Sequence, residues 1–69
     1  MITFDISEFF RLRKELDWNQ EYFAAILGVS TGTISNWERG KLEPRAVNIA
    51  AVMTLAKEYG IRLNLFREV

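Results

Sequence analysis

The sequence predicts one small, mainly α-helical domain of four to five short helices. Apolar residues recur three and four positions apart along most of the chain, and capping residues or glycines divide it into short pieces. Large apolar and polar residues alternate only near the C-terminal end, which favours a strand there. A chain of 69 residues without repeats or linkers is expected to fold as one domain, residues 1–69.

Composition excludes several classes of function. Hydrophobic residues make up 49% of the chain, enough for a real core. The chain has no cysteine and no histidine, so thiolate zinc sites and the usual general base are missing; we expect no metal, no cofactor and no enzymatic activity. The sequence lacks a membrane-spanning apolar run and a basic leader, which predicts a cytoplasmic protein without membrane contact. Because the net charge is zero, nucleic-acid binding would require a local surface.

The first helix is predicted from Asp5 to about Leu16. Asp5 is a suitable N-cap, and Glu8, three residues later, would complete a capping box. Phe4 and Phe9 stand at the positions of a hydrophobic staple across the start of this helix.

The second and third helices are predicted over residues 20–27 and 31–39. Asn19 and Ser30 are good N-cap residues, and Gly28 suits a left-handed C-cap between the two helices. The third helix opens on the poor helix formers Thr-Gly-Thr. Either this is simply a capped turn, or its small residues allow a close approach to a partner.

The fourth helix is predicted from Pro44 to about Tyr59, with Gly60 as its stop signal. Its expected buried face consists of Val47, Ala50, Ala51, Leu55 and either Val52 or Met53.

Within the last nine residues, Ile61, Leu63 and Leu65 alternate with the polar residues Arg62 and Asn64, a period of two. The N-terminal residues are also rich in β-favouring types. We therefore expect the two termini to pair as a small β-ribbon, with a short fifth helix as the alternative.

Residues 20–39 form a candidate helix-turn-helix, two helices of about eight residues joined by Gly-Val-Ser. Ala24 is small enough for a close helix crossing, and Gly28 permits positive φ in the turn. Helical spacing puts four small polar residues on one face of the third helix, opposite Ile34 and Trp37: Thr31, Gly32, Ser35 and Asn36. A basic cluster continues this face: Arg39, Lys41 and Arg45. Such a face suits contact with base edges and phosphates of DNA.

The segment NQEYFAAILGVSTGTISNWERGKLEP resembles the helix-turn-helix of the Cro/C1-type regulators, the lambda-repressor-like XRE family. This resemblance implies a sequence-specific, homodimeric regulator of double-stranded DNA, of phage or prokaryotic repressor type. It implies base contacts by Thr31, Gly32, Ser35 and Asn36, and phosphate contacts by Gln20, Arg39 and Lys41. We expect Asn19 and Arg45 to contact phosphates as well. The resemblance also implies a structural ion pair between Arg13 and Glu38.

The C-terminal segment, residues 59–69, is the expected dimerisation region. Its large apolar residues exceed what the four-helix core needs, and a two-stranded ribbon is marginal unless it packs on something. The expected interface residues are Tyr59, Ile61, Leu63, Leu65 and Phe66. The fourth helix is about one turn longer than is usual in the family, so the family's dimer geometry is not carried over.

A second function class is a protein-interaction module that uses the same fold, for instance an antitoxin whose main partner is a toxin. Zero net charge and the acidic residues Glu21, Glu43 and Glu58 favour this alternative. A third class, a small carboxylate enzyme, has no site to support it. Gln20 also has a purely structural interpretation, as a residue that faces water beside the cap of the second helix.

Overall fold

The computed structural model describes all 69 residues as four helices and two short strands. In chain order these are β1 (Ile2–Phe4), α1 (Ser7–Glu15), α2 (Gln20–Leu27), α3 (Thr31–Glu38), α4 (Ala46–Glu58) and β2 (Phe66–Glu68). The predicted fold class is confirmed, in the version with terminal strands instead of a fifth helix. None of the helices has the length and apolar character required to cross a membrane.

The core is formed by one face of each helix together with one residue of the C-terminal segment. Phe9 and Trp37 meet edge to face near its centre, with ring centroids 5.6 Å apart. The buried apolar residues are Phe9, Leu12, Phe23, Ala24, Ile34, Trp37, Val52, Ala56 and Leu65. Removing this apolar surface from water is the main contribution to the stability of so short a chain.

The predicted caps of α2 and α3 are present. The side chain of Asn19 accepts a hydrogen bond from the Tyr22 N–H at 2.8 Å, and Ser30 Oγ accepts one from the Thr33 N–H at 3.1 Å. Gly28 has a φ of 72°, and the next N–H, that of Val29, donates back into α2. A left-handed glycine here ends α2 and turns the chain directly into α3.

The predicted cap of α1 is wrong in part. The helix begins at Ser7 and its N-cap residue is Ile6, which makes no side-chain cap. Asp5 accepts instead from the N–H of Ser7, at 3.0 Å. Glu8 lies at the second helical position, so its side chain does not reach back to complete a capping box, and it points toward the C-terminal segment.

The predicted buried face of α4 is also wrong in most of its members. Of the two alternatives Val52 and Met53, Val52 is buried, and Leu55 is partly buried, but Val47, Ala50 and Ala51 are exposed, and Ala56, which was not predicted, is buried. Pro44 precedes the helix, which starts at Ala46. Because apolar residues surround most of this helix, their spacing alone does not specify the inward face.

The termini form a two-stranded antiparallel ribbon, as predicted. Ile2 pairs with Glu68, Thr3 with Arg67 and Phe4 with Phe66. Phe4 also packs edge to face on Phe9, with centroids 5.7 Å apart, so the proposed staple contact is present and attaches the ribbon to α1.

A polar cluster fastens the C-terminal segment to α1. The buried carboxylate of Glu8 accepts from Arg11 Nε at 2.8 Å and from the Asn64 N–H at 2.8 Å. The guanidinium of Arg11 also donates to the carbonyl oxygen of Arg62 at 2.6 Å. The hydrogen bonds from Arg11, followed by the one from Asn64, lower the pKa of Glu8 to about 2. The sequence gives no periodic signal for this contact, which joins residues 56 positions apart.

Candidate nucleic-acid interface

The outward side of α3 is a continuous surface of small polar residues. Ile34 and Trp37 point into the core with 1% and 2% of their surface exposed. Thr31 and Gly32 are exposed, and Ser35 and Asn36 are partly exposed. The four residues expected to face bases therefore remain open to solvent on one helix that is anchored to the core from behind.

Gly32 is not required by the packing of the protein. A Cβ atom placed there would meet only Ser30 Oγ, at 3.8 Å, which is an ordinary van der Waals contact. Glycine within a helix costs about 0.5–1 kcal/mol relative to alanine. The fold alone therefore gives no reason for glycine at this position, whereas a surface that closely approaches the α3 backbone would.

Asn36 and Arg39 are joined on this same surface. Arg39 donates from Nη2 to Asn36 Oδ1 at 3.0 Å, one helical turn apart. This bond uses the amide oxygen of Asn36, and its amide N–H groups make no hydrogen bond within the protein. It also holds the exposed guanidinium of Arg39 beside the small polar residues.

Lys41 follows the end of α3, where the backbone is fixed. Gly40 has a φ of 71°, and the Lys41 N–H donates to the carbonyl oxygen of Asn36 at 2.8 Å. Lys41 and Arg45 are exposed, and neither they nor Arg39 form a salt bridge. Three exposed cations without a salt-bridge partner thus follow the end of α3 along the chain, although the whole chain has zero net charge.

The start of α2 contributes Asn19 and Gln20. The oxygen of the Asn19 side chain is occupied by its cap, and its amide nitrogen makes no bond within the protein. Gln20 Nε2 donates to Glu38 Oε1 at 3.0 Å, which fixes the side chain beside the end of α3. This partner differs from the structural interpretation, in which Gln20 faces water, and the amide keeps a second N–H that could still be donated to a phosphate.

Arg13 and Glu38 form an ion pair between α1 and α3. Arg13 Nε lies 2.8 Å from Glu38 Oε2, and the two side chains are 9% and 8% exposed. Arg13 also donates to the carbonyl oxygen of Trp18 at 2.8 Å. Glu38 is therefore turned inward and neutralised, which keeps its charge away from the outer surface.

The residues expected at a dimer interface divide into three groups. Tyr59 and Phe66 are 54% and 56% exposed, whereas Ile61 and Leu63 are partly buried against the core. Leu65 is only 4% exposed and belongs to the core of the single chain, so it is not available to a partner and that expectation is corrected. Leu65 is buried in the core against which Ile61 and Leu63 also pack, while the backbone of the polar residues between them is attached to α1 by hydrogen bonds to Arg11 and Glu8.

Sequence reasoning missed one exposed apolar residue beside the C-terminal segment. Met53, 52% exposed, lines a groove between α4 and residues 60–66. The groove also contains Ile61, Leu63 and Phe66. The only sequence signal for an exposed apolar residue at this position was that apolar residues surround most of α4.

One comparison with known proteins identifies the family of the chain. A family model described as helix-turn-helix, HTH_3, matches residues 10–66, which include all of α2, α3 and α4. No curated protein and no solved structure is significantly similar to the chain. The match covers most of the chain and agrees with the capped α2–turn–α3 geometry. The chain therefore belongs to the HTH_3 family of Cro/C1-type helix-turn-helix proteins, a family of DNA-binding transcriptional regulators.

Proposed function

We propose that the chain is a sequence-specific repressor that binds double-stranded DNA through the outer face of α3 and acts as a homodimer. The observation that carries this proposal is the open row of small polar residues on α3, in which Gly32 has no packing role. Small side chains and a glycine let the helix enter the major groove closely, where base edges can be reached.

Base recognition is assigned to the four outward residues of α3. Asn36 presents amide donors to acceptor atoms on purines, such as N7, and the methyl group of Thr31 suits contact with a thymine methyl. Ser35 adds a hydroxyl that can donate or accept, and Gly32 permits the approach. Because these side chains are short, local DNA shape is expected to contribute part of the specificity.

Phosphate contacts are assigned to the residues around this face. The exposed cations Arg39, Lys41 and Arg45 would neutralise phosphates on one side, and the amides of Asn19 and Gln20 would donate to the strand on the other. Contacts of this kind position the protein and supply the salt-dependent part of the affinity.

We propose a homodimer because one recognition helix covers only a small number of base pairs. A single recognition helix reads only a few base pairs, so useful specificity requires two copies about 34 Å apart on one side of the duplex. The exposed apolar residues on and beside the terminal ribbon support self-association: Ile2, Met53, Tyr59 and Phe66. Sedimentation equilibrium at tens of micromolar tests this part, since a purely monomeric chain would contradict it.

A second candidate function, a protein-interaction module such as an antitoxin, is favoured by the apolar groove beside Met53. This alternative places the main partner on α4 and the C-terminal segment, and it does not require α3 to contact DNA.

Binding to a random duplex at several salt concentrations separates the two functions. A DNA-binding surface predicts measurable affinity at low salt that falls linearly with the logarithm of salt concentration. Lys41→Ala should reduce this affinity and its slope, whereas the matched control Lys57→Ala, on α4, should leave both unchanged. Absence of salt-dependent binding would favour the interaction module and contradict the repressor.

A further inference from the structure

The terminal ribbon has two free edges. The hydrogen bonds between its strands determine which backbone N–H and C=O groups remain unpaired at each edge. The Val69 N–H donates to the Met1 carbonyl, and the Asp5 N–H donates to the Leu65 carbonyl. Hydrogen-bonded pairs alternate with non-hydrogen-bonded pairs in an antiparallel ladder. Because the pairs Met1/Val69 and Asp5/Leu65 are hydrogen-bonded, the pair midway between these two, Thr3 and Arg67, is hydrogen-bonded as well. The N–H and C=O groups of Ile2 and Phe4 therefore point away from β2, as those of Phe66 and Glu68 point away from β1.

The two edges differ in chemistry. Along β2, Arg67 and Glu68 place charges next to the free backbone groups, and such charges discourage strand pairing at an open edge. Along β1, the residues are Ile, Thr and Phe, all of which favour strands, and none is charged. Ile2 is also 62% exposed in the single chain. The β1 edge thus lacks the charges that discourage pairing at the β2 edge.

The β1 edge is also self-complementary. If a second copy lies antiparallel to it with the twofold axis at Thr3, Ile2 lies beside Phe4 of the partner subunit, and Thr3 faces its own equivalent. Apolar pairs and threonine pairs across strands are both favourable. The same arrangement on the β2 edge would place Arg67 directly opposite a second arginine, and like charges in that position are unfavourable.

We propose that two copies of the chain associate by pairing their β1 strands, which creates a continuous four-stranded sheet in the order β2-β1-β1-β2. This inference rests on the homodimer of the proposed function and names the edge and register through which it forms. Pairing gives partners to the free backbone groups of Ile2 and Phe4 and covers the exposed side chain of Ile2. It also converts a marginal two-stranded ribbon into a sheet large enough to be stable.

A cysteine cross-linking experiment tests the edge and the register, because the natural chain contains no cysteine. In the proposed sheet Thr3 faces its equivalent in an unbonded pair, with about 4.5 Å between Cα atoms, within the range for a disulfide. Thr3→Cys should therefore give a covalent dimer in most of the protein on mild oxidation. Arg67→Cys reports on the opposite edge, and Thr54→Cys, on the exposed side of α4, reports random collision. Both should remain largely monomeric on a non-reducing gel.

A second variant tests the edge without a disulfide. Ile2→Lys places a charge on the pairing edge and should weaken self-association at least tenfold in sedimentation equilibrium. Val69→Lys, at an exposed position that follows β2 and lies away from the proposed β1 edge, should associate like the natural chain. Helical circular dichroism should be unchanged in both variants, since neither side chain belongs to the core.

Cross-linking of Arg67→Cys but not of Thr3→Cys, or association that is insensitive to Ile2→Lys, would overturn the inference. Salt-dependent binding of DNA by these same proteins is measured separately. If that binding persists while β1 cross-linking fails, only the edge is wrong. If the natural chain does not bind DNA at all, the proposed function fails whatever the cross-linking shows.

Discussion

The guanidinium of Arg13 and the carboxylate of Glu38 meet through two hydrogen bonds, 2.8 and 3.0 Å long, between α1 and the last residue of α3. Gln20 at the start of α2 donates to the same carboxylate. The pair therefore connects the three helices that form the helix-turn-helix and its support, and it sets the orientation of α3. It also explains how a glutamate can stand one residue before Arg39, a proposed phosphate contact, without repelling DNA.

A double-mutant cycle at this pair should show strong coupling. Arg13→Ala or Glu38→Ala leaves a buried charge without its partner, which should lower the free energy of unfolding by about 3 kcal/mol. The double mutant should be destabilised by less than the sum of the single changes, with a coupling energy of about 1–3 kcal/mol. Urea denaturation followed by tryptophan fluorescence measures all four proteins; fully additive losses would mean that the two side chains do not interact.

Replacing Gly32 by alanine should have opposite effects on stability and on DNA binding. Gly32→Ala meets no close contact and improves helix propensity, so the free energy of unfolding should rise by about 0.5–1 kcal/mol. Binding to a specific duplex should weaken about tenfold, because the added methyl group keeps α3 from its closest approach. The matched control is Gly28→Ala, where φ is 72° and the change should be destabilising by about 1 kcal/mol. Unchanged DNA affinity in Gly32→Ala would remove the functional explanation of this glycine.

Features of the fold that depend on short-range interactions could be predicted from the residue pattern alone. Local signals were sufficient for α2, the turn and α3, because Asn19, Ser30 and Gly28 act on groups within a few residues of themselves. The same local information predicted the outward face of α3, since the positions of Ile34 and Trp37 determine which side is buried.

Features that depend on distant contacts were not predictable in the same way. Glu8 matches a capping box in sequence but binds the Asn64 N–H in the structure, an interaction set by tertiary packing. The inward face of α4 is selected by the elements that pack on it. Val47 and Val52 are equally apolar, yet Val47 is exposed and Val52 is buried. Leu65 was assigned to an interface for the same reason, because alternation identifies a face without saying what covers it.

Stability at low pH should depend on Glu8. Its folded pKa of about 2 lies below the ordinary value of 4.5, so its stabilising contribution is complete above about pH 4.5 and is lost as the pH falls toward 2. Arg11 is 39% exposed and partly screened by water, so we expect a loss of only about 1–2 kcal/mol in this range. The free energy of unfolding should fall less steeply between pH 6 and pH 2 in Glu8→Gln than in the natural chain. Glu15→Gln, which removes the other carboxylate bound to Arg11, is the matched control. Identical pH profiles in Glu8→Gln and the natural chain would contradict the assignment.

The cations around α3 should contribute to affinity without selecting sequence. Arg45→Ala and Lys41→Ala should each weaken binding to all duplexes by a similar factor and lower the salt slope by about one unit. Arg39→Ala should do the same and also affect base selection, because Arg39 holds Asn36 through a 3.0 Å hydrogen bond. Fluorescence anisotropy at several salt concentrations measures both quantities. A loss at one base position in Lys41→Ala would instead make Lys41 a base-reading residue.

Recognition of DNA by the outer face of α3 is tested most directly through Asn36. A duplex is first selected from a random pool by the natural chain, and binding of the natural chain and Asn36→Ala is then compared on this duplex and on a scrambled one. Asn36→Ala should lose about 1–3 kcal/mol on the selected duplex, roughly 5- to 150-fold in affinity, and bind the scrambled duplex almost as the natural chain does. If Asn36→Ala binds both duplexes with the affinity of the natural chain, the outer face of α3 is not the surface that reads DNA.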